Sequence, residues 1–331
     1  MTRLAGRALV LAMVLALAPA QFASAEREGW GYLVEKLVGD GVPRQRVIAV
    51  FDDPRVGPFT GLEFSPGRAR EPRSMYKGFT RPTMVAAARR CRRAHADAFE
   101  QAAREHGVSA DTIAAIIYVE SGCGQNTGSS QVFTRLARLA MANEPENVRR
   151  NIERFSDPDG TIDPETDARL REKARYLENT FYPEVLALFD VAARMRVDLL
   201  DIRGSGSGAF GYPQFLPRSY LAYGIDANGD GRVSLYDPED AAASCARYLS
   251  AYGWHPGATK VERRAAVWQY NHSDAYVDAV LTLANQIGKP PPPPKKKVAK
   301  TKLSKAKASK GKASRAKKGK PNAGKAKKNG Q

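Results

Sequence analysis

Cysteine is scarce in this sequence, which has three in 331 residues: Cys91, Cys123 and Cys245. They lie far apart and match no metal-ligand spacing, which excludes a cysteine-based metal centre. In an oxidising compartment, three cysteines predict one disulfide and one free thiol, with the pairing left open. A thiol nucleophile at Cys123 is not expected, because no base is placed for it locally and the nearest histidines in sequence are His95 and His106.

A hydrophobic run long enough to span a membrane is also lacking near the N-terminus. Arg3 and Arg7 precede the apolar run Ala8–Leu17, and the small residues Ala23–Ala25 follow it, which is typical of an export signal. No cysteine lies near this cleavage site to take a lipid. We therefore expect residues 1–25 to be removed and the mature protein to be soluble, and periplasmic or secreted. A retained N-terminal anchor is the alternative, and whether cleavage occurs is left open.

Acidic residues are absent from residues 289–331, which hold sixteen lysines and Arg315. Their charge equals the formal net charge of the whole chain, +17, so residues 26–288 are close to neutral. The proline run Pro290–Pro294 and the near-absence of apolar residues behind it predict a spacer followed by a disordered tail. An exported tail would meet anionic envelope polymers, which are the expected partners; DNA binding by the tail alone is the alternative.

A short, well-delimited helix is predicted between Ser109, a good N-cap, and Gly122, which ends it. One face of it carries Ile113, Ile116, Ile117 and then Glu120, at helical spacing. Burial and the negative end of the helix dipole both disfavour an ionised carboxyl group, so Glu120 is expected to hold its proton near neutral pH. Such an acid beside a glycine-lined opening suits glycosidic bond cleavage. The alternative is a solvated glutamate at a frayed helix end.

The remaining periodicity predicts a mainly α chain. Helices are expected over Pro82–His106, Phe133–Met141, Pro238–Tyr252 and Ala275–Ile287, with a long charged helical region ending near Arg196 and little regular structure over residues 50–82. We divide the chain into a signal (1–25), an N-terminal helix with an extended arm (26–74), the main domain (75–288) and the linker with its tail (289–331).

A glycine-rich loop occupies residues 203–211 and reads R-G-S-G-S-G-A-F-G. It lacks a G-K-S/T pattern and a preceding strand, so neither a nucleotide site nor another organic cofactor is expected. Glycines there predict that a ligand approaches the bare backbone closely.

Residues 226–237, D-A-N-G-D-G-R-V-S-L-Y-D, have the pattern of an EF-hand-like calcium loop. Oxygen-bearing side chains stand at positions 1, 3 and 5, glycine at 6, a usable backbone carbonyl at 7, serine at 9 and a carboxylate at 12. Position 12 is usually glutamate, so the shorter Asp237 predicts weaker binding than in a signalling site. A calcium-free turn is the alternative.

Four segments together resemble the lytic murein transglycosylase B family, a lysozyme-like group acting on bacterial peptidoglycan. In order, they are V-E-S-G-C-G-Q-N-T-G (119–128), G-S-G-S-G-A-F-G-Y-P-Q-F-L-P-R-S-Y (204–220), the calcium-loop segment (226–241) and Y-N-H-S-D-A-Y (270–276). The resemblance covers roughly residues 75–288 and implies a lysozyme-like helical catalytic domain with a small calcium loop.

The resemblance also implies roles for individual residues. Glu120 would be the catalytic acid and base. The glycan-groove residues would be Ser205, Gln214, Phe215, Tyr248, Tyr270, Asn271 and Tyr276. A structural calcium ion would be held by Asp226, Asn228, Asp230, the Arg232 carbonyl and Asp237. The implied reaction cleaves the MurNAc-GlcNAc β-1,4 bond of peptidoglycan strands and leaves a 1,6-anhydro ring. A non-catalytic peptidoglycan-binding protein and a hydrolytic lysozyme are the alternatives, and endo or exo preference is left open.

Overall fold

The computed structural model describes residues 28–67 and 74–289. The predicted signal peptide and the tail from Pro290 onward lie outside these residues. The helices are α1 Gly31–Gly39, α2 Arg44–Phe51, α3 Pro82–Ala94, α4 Ala96–His106, α5 Ala110–Ser121, α6 Val132–Ala140, α7 Pro145–Phe155, α8 Pro164–Met195, α9 Pro217–Tyr223, α10 Pro238–Ala251, α11 Lys260–Tyr270 and α12 Asp274–Ile287. The mainly α prediction is confirmed.

Two short strands complete the described fold. Strand β1, Ser130–Gln131, pairs antiparallel with β2, Arg203–Gly204, with Ser130 opposite Gly204 and Gln131 opposite Arg203. Position 204 requires glycine, because a Cβ there would lie 2.3 Å from the carbonyl oxygen of Ala209. The pairing fixes the start of the loop that carries Ser205 to the site.

Helix α5 begins and ends at the cap residues that its sequence predicts. The Ser109 side chain accepts a hydrogen bond from the amide of Thr112 at 3.2 Å, and Gly122 ends the helix in the left-handed region at φ 60°. All residues from Thr112 to Tyr118 are buried, so α5 is surrounded by packing on every side. Its C-terminal end is therefore held in a fixed position.

Helix α5 runs through one of two large hydrophobic cores. This core is formed mainly by α3, α4, α5, α10, α11 and α12. The second core joins α1 and α2 to α6, α8 and the segment around Phe210 and Phe215. The side chain of Tyr270 packs against both cores, which places the Tyr270 segment at their junction.

Some element predictions were wrong in detail. The single helix expected over Pro82–His106 is two helices, because His95 leaves helical geometry at φ −122° and ψ 41°. Helices α2, α7, α9 and α11 had not been predicted at all. Within the described ranges, no helix is both long enough and apolar enough to cross a membrane.

Candidate active site

Glu120 lies in the last turn of α5, on the face predicted from the sequence. Ile113, Ile116 and Ile117 on that face are at most 1% exposed, whereas Glu120 itself is half-buried. Its Oε1 accepts a hydrogen bond of 2.6 Å from the hydroxyl of Tyr276. The carboxyl group is therefore held at the edge of the core with one oxygen in a fixed direction.

Tyr276 supplies that hydrogen bond from a buried position on α12. Its ring is 1% exposed, and the amide of Tyr276 donates to the N-cap side chain of Ser273. Burial first, and the nearby negative charge of Glu120 second, raise the pKa of Tyr276 well above its ordinary value. The phenol consequently stays protonated at any physiological pH and remains a donor to Glu120.

The backbone directly after Glu120 turns away sharply. Gly122, Cys123 and Gly124 all have positive φ, at 60°, 68° and 77°. A Cβ on Gly124 would lie 2.0 Å from the ring of Tyr212, so only glycine allows this ring to pack against the turn. A disulfide between Cys91 and Cys123 joins the turn to α3 and settles the cysteine pairing.

The remaining cysteine, Cys245, is buried on α10 beneath the site. Desolvation raises the pKa of its thiol well above the usual range, and the negative charge of Glu120 adds to this effect. The thiol is therefore protonated, and one disulfide with one free thiol agrees with the expectation from the sequence.

An open groove of about 420 Å³ lies over Glu120. Its lining includes seven of the eight residues assigned to the site from the sequence: Glu120, Ser205, Gln214, Phe215, Tyr248, Tyr270 and Asn271. The eighth, Tyr276, lies beneath the groove and contacts it through Glu120. Residues far apart in the chain thus meet in one cleft, although their individual roles stay predictions.

Three aromatic rings form a continuous wall of this groove. The ring of Tyr270 lies 5.8 Å from that of Phe215 and 4.9 Å from that of Tyr248, between centroids. The hydroxyls are fixed by backbone carbonyls, since Tyr270 donates to Pro213 at 2.6 Å and Tyr248 donates to Gln269 at 2.7 Å. Phe215 and Tyr248 are buried and Tyr270 is partly buried, so the rings form a rigid backing for the groove, with Tyr270 the most accessible to a sugar.

Gln214 lines the groove next to Phe215, with a backbone conformation that is uncommon for a residue other than glycine. Its φ is 51°, and its Nε2 donates to the carbonyls of Thr127 and Gly211 at 3.1 and 2.9 Å. Both amide hydrogens are thereby used to hold the side chain in place. A non-glycine residue at positive φ stores strain that is commonly found at binding sites.

Two glycines of the glycine-rich loop are needed for packing within the protein itself. Added Cβ atoms would clash with the chain itself, at 2.3 Å from Ala209 for Gly204 and at 2.4 Å from Leu136 for Gly208. Gly204 and Gly208 are therefore required for internal packing, and close approach of a ligand to the loop backbone stays a prediction. The loop still delivers Ser205 to the groove, where its Oγ accepts from the Ala209 amide at 3.2 Å.

Several lining residues had not been predicted. Phe181 reaches the groove from α8, and Ser207, Ala209, Leu216 and Ser219 complete the lining. Asn271 also has an unpredicted partner, because its Nδ2 donates to the hydroxyl of Tyr76 at 3.3 Å. Nothing in the local sequence of Phe181 distinguishes it from other apolar positions of a charged helix.

The predicted calcium loop forms a tight turn in which oxygen atoms face backbone amides. Asp226 Oδ2 accepts from Gly231 at 2.8 Å, and Asn228 Oδ1 accepts from Asp230 at 3.0 Å. Gly229 and Gly231 have φ of 74° and 81°, as this turn requires. Within the described residues, no three His, Cys, Asp or Glu side chains are gathered into a preformed metal site.

A further carboxylate, Asp240, faces this loop from the first turn of α10. It is fully buried, and its two oxygens accept from the amides of Ala227 and Ser234 at 2.8 and 2.7 Å. Asp237, the residue assigned from the sequence, is the N-cap of α10 and lines a different cavity. Sequence reasoning missed Asp240 because it lies beyond the 12-residue EF-hand pattern. With Asp240, the loop has an oxygen donor set of the kind that calcium takes.

Comparison with known proteins agrees with this architecture. Residues 27–267 match the family model described as the transglycosylase SLT domain. The membrane-bound lytic murein transglycosylase B of Escherichia coli (strain K12) is 32% identical over 161 residues, which are 49% of this chain and 36% of that protein. The chain thus spans about a third of the length of this relative.

Solved structures share the fold. The Escherichia coli lytic transglycosylase Slt35, solved in complex with calcium, superposes with a TM-score of 0.57 at 21% identity, over 80% of this chain and 92% of that one. SltB3 from Pseudomonas aeruginosa, solved in complex with NAG-anhNAM-pentapeptide, gives 0.58 at 20% identity, over 80% and 79%. The lysozyme-like helical fold predicted from the sequence is confirmed, and the chain belongs to the transglycosylase SLT domain family.

Proposed function

We propose that this protein is an exported lytic transglycosylase that cleaves the MurNAc-GlcNAc β-1,4 bond of peptidoglycan strands. The observation that carries the proposal is the Glu120 carboxyl group, fixed by Tyr276 at 2.6 Å beneath a groove with an aromatic wall. Membership of the transglycosylase family and the peptidoglycan fragment named for the SltB3 complex support the choice of substrate.

In the first step, Glu120 donates its proton to the glycosidic oxygen while the bond from that oxygen to the MurNAc anomeric carbon breaks. The electron pair of that bond leaves with the GlcNAc oxygen. The substrate's own acetamido group stabilises the positive centre that develops on MurNAc, in the manner of substrate-assisted glycosidases. The Tyr276 hydroxyl, which stays protonated, donates to the carboxylate that forms.

In the second step, the ionised Glu120 takes the proton from the C6 hydroxyl of the same MurNAc. The C6 oxygen then bonds to the anomeric carbon and closes the 1,6-anhydro ring, so no water is consumed. One carboxyl group suffices for both proton transfers. Among the described residues that line the groove, Glu120 alone carries a carboxylate, which supports this single-residue scheme.

Replacing Tyr276 by phenylalanine should lower kcat while leaving KM nearly unchanged. The variant keeps the buried ring but loses the hydrogen bond to Glu120, and a hydrogen bond to a charged group contributes about 1.5–3 kcal/mol. That corresponds to a loss of roughly 10- to 150-fold in kcat. Steady-state turnover of soluble glycan strands measures it.

Tyr118→Phe is the matched control, because Tyr118 also lies on α5 but outside the groove lining, and its hydroxyl donates to Met84 Sδ at 3.3 Å. It should retain wild-type turnover. A Tyr276→Phe variant with the kcat of the wild type would contradict the proposal that Tyr276 positions Glu120.

We also propose that calcium stabilises the loop over residues 226–240. Asp226, Asn228, Asp230, the Arg232 carbonyl and Asp240 would hold it, with Asp240 in the place first given to Asp237. The calcium named for the Slt35 complex and the oxygen-rich loop support this assignment. The ion would compensate the charge of the loop carboxylates and of the buried Asp240, and the loop lies outside the groove lining, so no chemical step depends on it.

Calcium should raise the melting temperature of the wild type relative to a chelator-treated sample. The calcium-dependent rise should vanish in Asp240→Asn and persist in Asp237→Asn. Comparing the rise within each variant separates ion binding from the amide hydrogen bonds that Asp240 makes in the metal-free protein. Identical melting temperatures of the wild type with calcium and with chelator would remove the calcium site, and loss of the rise in Asp237→Asn alone would restore Asp237 as the ligand.

A periplasmic or secreted location follows from the same function, because the substrate lies outside the cytoplasm. The predicted signal and the lysine-rich tail, which we propose contacts anionic envelope polymers, lie outside the described residues. Cleavage of the signal is checked by sequencing the N-terminus of the purified protein.

A further inference from the structure

The aromatic wall of the groove continues beyond its lining residues. Ser219 and Tyr248 both line the groove, on α9 and α10 respectively. Tyr223 lies four residues after Ser219, and Tyr252 lies four residues after Tyr248. Residues four apart on a helix share a face, about one 5.4 Å turn further along. Tyr223, the last residue of α9, and Tyr252, the residue after α10, therefore lie about one turn beyond these two groove residues.

The tyrosine pair Tyr223 and Tyr252 contacts the ring of Tyr248. Centroid distances are 4.8 Å from Tyr248 to Tyr252, 4.8 Å from Tyr248 to Tyr223 and 6.0 Å between Tyr223 and Tyr252. The hydroxyl of Tyr223 donates to that of Tyr252 at 3.1 Å, which fixes the two rings relative to each other. Because Tyr270 also contacts Tyr248, the four tyrosines form one connected cluster of aromatic rings.

Burial distinguishes the two ends of this surface. Tyr248 is 8% exposed and belongs to the hydrophobic core, whereas Tyr252, the residue that follows α10, is 39% exposed. Tyr252 is held in a fixed position by its hydrogen bond to Tyr223, although its ring is too exposed to be part of the core. A rigid, half-exposed ring with a hydroxyl at its edge suits a ligand that has an apolar face and hydroxyl groups, and a pyranose sugar has both.

We propose that Tyr223 and Tyr252 form an additional sugar-binding subsite, at which the glycan strand extends beyond the groove over Glu120. This inference rests on the proposed function, since it takes the occupant of the groove to be a glycan strand. Tyr252 provides the stacking face, and Tyr223 holds that face in position through their hydrogen bond. The subsite makes the enzyme prefer longer strands.

The test compares strands of alternating GlcNAc and MurNAc that are four and eight sugars long. Stacking contributions by aromatic rings predict that Tyr252→Ala lowers kcat/KM for the eight-sugar strand by about two- to tenfold. The value for the four-sugar strand should change little. Tyr252→Phe keeps the ring and should retain most of the long-strand preference.

Tyr176→Ala is the matched control, because Tyr176 is a 50% exposed tyrosine on α8 outside the groove lining. It should leave the ratio of the two kcat/KM values unchanged. An equal loss on both strands in Tyr252→Ala, or no loss on the longer one, would overturn the subsite.

Failure of the proposed function would look different, since the wild type would then cleave neither strand. Calorimetric titration of the eight-sugar strand decides the subsite in that case. Binding two- to tenfold weaker in Tyr252→Ala than in the wild type, as above, supports it. Equal binding, or no binding to either protein, contradicts it.

Discussion

Replacing Glu120 by glutamine should abolish cleavage of peptidoglycan strands while leaving the fold intact. Glutamine has nearly the same shape and can still accept the hydrogen bond from Tyr276, but it cannot donate or take a proton in the reaction. One positioned proton-transfer group contributes about 10²- to 10⁴-fold. Because Glu120 serves in both steps of the proposed mechanism, we expect a loss at the upper end of that range or beyond. Release of soluble fragments from purified sacculi measures it.

The matched control is Glu105→Gln, at an exposed glutamate in the last turn of α4 that accepts a hydrogen bond from Gln101 at 3.0 Å. Both variants should melt close to the wild type, and the control should cleave at the wild-type rate. Equal cleavage by Glu120→Gln and the wild type would remove Glu120 from the chemistry. Equal binding of sacculi by both proteins with no fragments from either would favour a non-catalytic peptidoglycan-binding protein.

Loss of the disulfide between Cys91 and Cys123 should be the largest effect on stability. The bond closes a loop with a sequence separation of 32 and ties the turn after Glu120 to α3. The chain-entropy relation gives a contribution of about 3–4 kcal/mol for a loop of this length. The double variant Cys91→Ala/Cys123→Ala should lose about that much free energy of unfolding by urea denaturation.

The same experiment has an internal control. Reductant should lower the stability of the wild type to about that of the double variant, and it should leave the variant itself unchanged. The buried thiol of Cys245 is present in both proteins and cancels in the comparison. A reduced wild type that unfolds at the same urea concentration as the oxidised protein would show that packing, and not the disulfide, holds the turn.

Much of the site could be predicted because its signals are local. Ser109 caps the start of α5 through its side chain, and Gly122 caps its end through its backbone conformation. The isoleucine spacing places Glu120 on the buried face. Each of the four motif segments resembles the transglycosylase B family by itself. The groove residues on these segments could therefore be named without knowing how the chain brings them together.

What could not be predicted depends on contacts between distant segments. Phe181 reaches the groove only because α8 packs across it, and Asn271 meets Tyr76 across most of the chain. The position of Asp240 depends on how α10 folds back against the calcium loop. The break at His95 likewise interrupts a helical pattern that has no proline or glycine to signal it.

Mass analysis of the products from purified sacculi tests the central claim most directly. Ring closure by the C6 hydroxyl predicts muropeptides that end in 1,6-anhydro-MurNAc, each lighter by one water than a product with a reducing end. The wild type should give these anhydro ends, and Glu120→Gln should give no products. Reducing ends from the wild type would instead mean that water is the nucleophile, and the protein would be a hydrolytic lysozyme.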